Sequence, residues 1–226
     1  MVFAWLITCQ AQSEEDVKPA DGLVYRAVQE AKAQGKTKAV LGVPIPLPTS
    51  LRNVDDVLDH YSILITEHAQ APVTVVEQNG IDTWHRLRIR EVILRQRETN
   101  DEPLPDDLPS QLLPVPQGEV LAATSGGTTI IDGIIVTQGS HWGISLRPGN
   151  QYLLFVWLTS GGRHAQLAAN EASVFLIHAD GTFEPVSKLR SPLIEDVQAF
   201  SGNILSQFRK AVRTRRPDRV TADGVH

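Results

Sequence analysis

Between Gly118 and Val186, short β-branched and aromatic runs alternate with Gly, Asp-Gly and Pro-Gly punctuation. Thr128–Ile131 and Ile134–Thr137 flank Asp132-Gly133. Such a pair accepts the positive φ angles of a type I′ turn, whose twist matches the strands on either side. Arg147-Pro148-Gly149-Asn150 is a second turn signal, because proline presets φ and glycine takes the left-handed position. The run Gln151–Leu158 is almost continuously apolar and predicts a central strand. Asp180-Gly181 predicts a hairpin between Val174–His178 and Thr182–Val186. This spacing of turns and strands predicts a β-meander.

The flanks are different. Residues 17–35 predict a helix, with Asp21 as its N-cap and Gly35 as its stop. Pro44, Pro46 and Pro48 then stand at every second position, which no helix interior tolerates, so this stretch predicts an extended strap. Ser50 is placed to cap a second helix, with Leu51, Val54, Leu58 and Tyr61 on one face. Strands are expected at Tyr61–Glu67, Val73–Glu77 and Ile81–Leu94. In the last, alternation puts Thr83, His85, Leu87, Ile89 and Ile93 on one face and Trp84, Arg86, Arg88 and Arg90 on the other. Residues 95–117 are polar and proline-rich, and a structureless loop of that length is either functional or disordered. Pro192 opens a C-terminal helix in which Leu193, Val197, Phe200, Ile204, Phe208 and Val212 form one stripe.

The expected fold is therefore mainly β within an α+β chain. It is a small antiparallel OB-like β-barrel or sandwich of six or seven strands, with N-terminal helices and one C-terminal amphipathic helix. The divisions are 1–16 (an apolar export-like segment and polar linker), 17–59 (helices and strap), 60–187 (barrel, with the 95–117 insertion), 188–213 (helix) and 214–226 (tail).

Gly126, Gly127, Thr128, Asp132 and Gly133 form a GGT-x(3)-DG hairpin, followed by Pro148-Gly149 and Tyr152-Leu153-Leu154-Phe155. Over roughly residues 60–187 this order resembles uncharacterised bacterial envelope proteins with an OB-like or netrin-like β-barrel. The resemblance implies a fold and transfers no active site.

Compartment is addressed by the first residues. Met1–Thr8 are apolar or small apart from Thr8, Cys9 is the only cysteine, and Glu14-Glu15-Asp16 follow. Leu6-Ile7-Thr8-Cys9 resembles a lipoprotein processing site, which makes Cys9 a lipidation candidate. Cys9-Gln10-Ala11 equally offers the small residues of an ordinary signal-peptidase site. A basic n-region is absent, as an upstream start codon would explain; the competing reading is a short buried segment or a frayed apolar end. Export to the periplasm, envelope or exterior is the expectation, with the cytoplasm as alternative. No 18-residue apolar run exists, so no transmembrane helix is expected. One cysteine permits neither an intrachain disulfide nor a thiolate cluster.

The chemistry-bearing motifs are few. There is no G-x-S-x-G elbow and no H-E-x-x-H, and the seven histidines (60, 68, 85, 141, 164, 178, 226) lie in separate elements. No catalytic residue, metal or cofactor is assigned. Trp84, Arg86, Arg88 and Arg90 form an aromatic and basic strand face of the kind that binds single-stranded nucleic acid. His141 and Trp142, in the Gly139–Gly143 loop, are further ligand-binding candidates. The net charge of −5 argues against nucleic acid as a partner and leaves an unknown protein or small ligand. Three readings follow: an exported non-catalytic barrel acting in binding or envelope structure, a cytoplasmic single-strand binder, and a hydrolase using His85, His141 or His178 with a nearby carboxylate.

Overall fold

A computed structural model describes residues 22–42, 51–77, 79–96, 103–104, 108–139, 146–188 and 190–219. Cys9, Asp21, the strap at 43–48, Ser50, His141 and Trp142 lie outside the described residues. Among those described are eleven strands: β1 Lys38–Leu41, β2 Ser62–His68, β3 Val73–Val76, β4 Ile81–Leu94, β5 Glu119–Ser125, β6 Gly127–Ile131, β7 Ile134–Gln138, β8 Gln151–Thr159, β9 His164–Glu171, β10 Val174–Ile177 and β11 Phe183–Pro185. Four helices accompany them: α1 Leu23–Ala33, α2 Val54–His60, α3 Pro192–Ser201 and α4 Leu205–Arg215.

Five strands close on themselves in the order β2-β4-β5-β9-β8 and back to β2. All joins are antiparallel except β5–β9, which is parallel. Closure leaves these strands few free edges. Leu64, Leu87, Val120, Ala122, Tyr152, Leu154, Val156 and Ala165 fill the interior. Strands β10 and β11 extend the sheet beyond β8, and β3 pairs with the start of β4. The eleven strands exceed the expected six or seven, and two of them, β1 and β9, carry weak strand signals. The sequence of β9, HAQLAANE, has no β-branched residue.

The 118–186 block is more than a meander. The β6–β7 hairpin leaves the barrel and, with β1 parallel to β7, forms a separate three-stranded sheet. Val24, Val28 and Ala31 of α1 pack on Ala39, Ile131, Ile134 and Val136 of that sheet. The hairpin turn has the expected chemistry, with φ 49° at Asp132 and 78° at Gly133.

Two bulges in β4 alter the expected faces. Thr66 pairs with Ile89 and Ile65 with Glu91, skipping Arg90; Leu64 pairs with Val92 and Ile63 with Leu94, skipping Ile93. Each extra residue resets the alternation. Leu87, Ile89 and Val92 therefore face the interior, whereas Ile93 joins the outer core beneath the helices.

That outer core holds α2, α3 and α4 against the barrel wall, with Phe155, Phe175, Phe183 and Phe208 at its centre. The cap of α2 is Asn53, whose Oδ1 accepts from the Asp56 amide at 2.8 Å. The C-terminal stripe is divided between two helices. Gly202 and Asn203 adopt left-handed conformations (φ 57° and 60°), which ends α3 and turns the chain before α4. Leu193, Val197, Phe208 and Val212 nevertheless converge on the same core.

The link from β8 to β9 contains the backbone oddity of the fold. Ser160 (φ 55°) precedes Gly161 (φ 64°) and Gly162 (φ 82°), and the buried Ser160 Oγ has no partner among the described residues. A left-handed non-glycine residue costs roughly 1–2 kcal/mol. Ser160→Gly should therefore raise stability by about 1 kcal/mol after the unfolded-state entropy of glycine is deducted. A urea midpoint that falls instead would contradict this reading.

Candidate functional site

A chain of polar groups crosses one end of the barrel interior. Residues Leu64, Thr66 and His68 of β2 share the inward periodicity, as do His85 and Leu87 of β4 and Ala122 and Thr124 of β5. His68 Nε2 lies 2.8 Å from His85 Nδ1, and His85 Nε2 lies 2.9 Å from Thr124 Oγ1. The rings meet edge to face. His68 is 1 % exposed and His85 2 %. His68 Nδ1 and Thr66 Oγ1 are buried without hydrogen-bond partners among the described residues.

The proton order follows from valence. If Thr124 donates to the Thr83 carbonyl, its oxygen accepts from His85 Nε2, and His85 Nδ1 accepts from His68 Nε2. Reversing the chain reverses each donor, and in both cases one buried imidazole nitrogen of His68 is left over. Both rings are held neutral. Burial, and then the neighbouring His68, pushes His85 down to about 3; burial lowers His68.

Hydroxyl, imidazole and orienting group in series are formally the parts of an activated nucleophile. Among the described residues the series contains no carboxylate to stabilise an imidazolium, and its members are buried among interior side chains. His178 stands elsewhere, at the β10–β11 hairpin, where its Nε2 lies 3.4 Å from Glu184. Sequence spacing gave no sign that His68 and His85, 17 residues apart, would meet. The signal lay in their both occupying inward positions of strands that pair.

The aromatic and basic stripe of β4 does lie on the outer wall. Trp84 is buried in a cluster with Leu108, Leu112 and Leu121, and its ring lies 5.4 Å from that of His164. The described part of the proline-rich insertion thus covers the outer face of β4 and β5, a structural role that neither sequence expectation included. Arg86 Nη2 donates to the Gln111 and Pro114 carbonyls of that cover at 3.3 and 3.4 Å. Glu119 lies 3.8 Å from Arg86 and 3.7 Å from Arg88. Arg90 is bonded to Glu67 through Nε at 2.6 Å. Of the four, Arg88 has the most exposed side chain, at 50 %.

Helix α4 gathers the remaining concentrated charge. Arg209 is bidentate to Glu91, Arg215 pairs with Asp55 at 2.6 Å, and Arg216 pairs with Asp59. Ser206, Arg209, Lys210, Arg213 and Thr214 line an open surface depression of about 440 Å³. Among the described residues no group of three or more His, Cys, Asp or Glu is placed to hold a metal ion. No described helix is long and apolar enough to cross a membrane.

The described residues form a small closed five-stranded β-barrel with outer strands and four helices. Comparison with protein-family models, curated proteins and solved structures returns no match.

Proposed function

We propose that this chain is an exported, non-catalytic barrel protein that acts by binding, in the cell envelope or beyond it. The carrying observation is the sealed barrel: its hydroxyl–imidazole series is enclosed, so a partner meets only the outer surface. Numbering the barrel strands in chain order gives 1-2-3-5-4, which supports an OB-type reading, a fold whose outer faces and loops serve recognition. The apolar run before Cys9 supports export and makes a lipid anchor there part of the proposal.

The single-strand nucleic-acid reading draws no support from the β4 stripe. Stacking requires an accessible ring, and Trp84 is 7 % exposed. Intact-mass measurement on protein from native membrane and soluble fractions tests the proposal. We expect loss of the leading residues, with or without acylation of Cys9. A cytoplasmic chain that keeps Met1 would overturn it.

A further inference from the structure

Residues 205–219 contain six basic residues and one acid, Asp218, in a chain of net charge −5. On α4 these cations fall into two groups. Arg209 and Arg215 are neutralised by Glu91 and Asp55 and serve to fasten the helix. Lys210 and Arg213 are exposed, one turn apart, and make no ion pair among the described residues. Ser206 and Thr214 lie on the same row at helical spacing, so the stripe runs about 12 Å along the helix.

The geometry points to α4 as an electrostatic docking face for anionic phospholipid headgroups at a bilayer surface. Three observations select that occupant. The stripe sits on one face of one helix, which fits a plane of mobile headgroups better than a single shaped ligand. The body behind it is acidic, so a polyanion that wrapped the protein would be repelled once past the stripe, whereas a surface touches the stripe alone. The large apolar residues within α4, Leu205, Phe208 and Val212, are buried in the core, and the stripe of Ser206, Lys210, Arg213 and Thr214 carries no apolar side chain to insert. Contact is therefore peripheral and salt-reversible, at about tenfold or less in affinity per free cation. The inference rests on the export reading only for where the protein would meet a bilayer.

Flotation or sedimentation with phosphatidylcholine vesicles, with and without phosphatidylglycerol, tests it on the full chain carrying Cys9→Ser, so that no anchor contributes. We expect binding only with phosphatidylglycerol, abolished near 0.5 M salt. Lys210→Gln/Arg213→Gln should weaken it on the order of 10- to 30-fold. Arg26→Gln/Lys36→Gln, an equal change of net charge at exposed positions near α1, should leave it unchanged. Equal weakening by both pairs, or binding that ignores phosphatidylglycerol, overturns the proposal. So does tighter binding to duplex DNA, or competition by inorganic phosphate beyond that of chloride at matched ionic strength. Because the protein is unacylated, failure here leaves export untouched, and failure of export leaves this result standing.

Discussion

Between pH 7 and about pH 4.5, the Asp82→Asn protein should lose roughly 3 kcal/mol of folding stability, while the parent loses about 1. Two groups, the buried His85 and the half-buried Asp82, titrate in opposite senses. His85 is pushed from 6.5 to about 3 on folding, so the native state binds fewer protons than the unfolded chain. Its contribution is complete above pH 6.5 and is lost as pH falls toward 3. His68, also lowered, acts in the same direction. Asp82 is raised from 3.8 to about 6, first by burial and then by the charge of Glu77. It therefore destabilises the neutral protein and returns stability as pH falls from 6 to 3.8. The Asp82 effect, discounted for partial exposure, is about 2 kcal/mol and masks most of the histidine loss. Asp82→Asn should accordingly be more stable than the parent at pH 7 and show the steeper acid decline. Guanidinium midpoints at several pH values measure both effects. Parallel pH profiles for the two proteins would refute the opposition.

Arg219→Ala should destabilise the full chain by about 3 kcal/mol. Arg219 is 8 % exposed, and its guanidinium donates to four carbonyls from two distant segments. Nη1 reaches the Leu58 and Asp59 carbonyls, the latter at 2.9 Å. Nε and Nη2 reach the Arg95 carbonyl at 3.0 and 2.7 Å, and Nη2 lies 3.4 Å from that of Tyr61. These carbonyls belong to the last turn and exit of α2 and to the residue after β4. The end of a helix carries partial negative charge and unsatisfied acceptors, so a planar cation with fork geometry suits it doubly. Alanine leaves several of these acceptors without a donor. Arg219→Lys restores charge without the fork and should recover less than half the loss. A change below 1 kcal/mol in the urea midpoint for Arg219→Ala would show that the latch is dispensable.

Much of the strand layout was legible because hairpin chemistry is local. Asp132-Gly133 and the apolar run of β8 predict their own conformations, and both appear as expected. The Arg-bearing strand β4 was equally readable up to Ile89. Beyond it, bulges that depend on the partner strand reset the faces. Strand β9 was not legible, since its pairing on both sides stands in for β propensity. The site was less legible still. Alternation placed Trp84 and Arg86 on an outer face, but no periodicity within β4 could show that Leu108 and Leu112 would cover it. His68 went unremarked because a histidine's meaning depends on the ring opposite it.

By itself the sequence determined the turns, the strand-rich middle, the apolar faces of the helices and the local surplus of cations near the C-terminus. These follow from dihedral preference, side-chain period and charge, which act within a few residues. Only the tertiary structure decided that the strands close into a barrel and that two histidines seal one end. Tertiary structure also decided that Trp84 and Arg86 of β4 are covered and that its arginines are paired with Glu119 and Glu67, while Lys210 and Arg213 stay exposed with no ion pair among the described residues. Those outcomes depend on which distant groups become neighbours, and burial and pairing energies act only after the chain has brought them together.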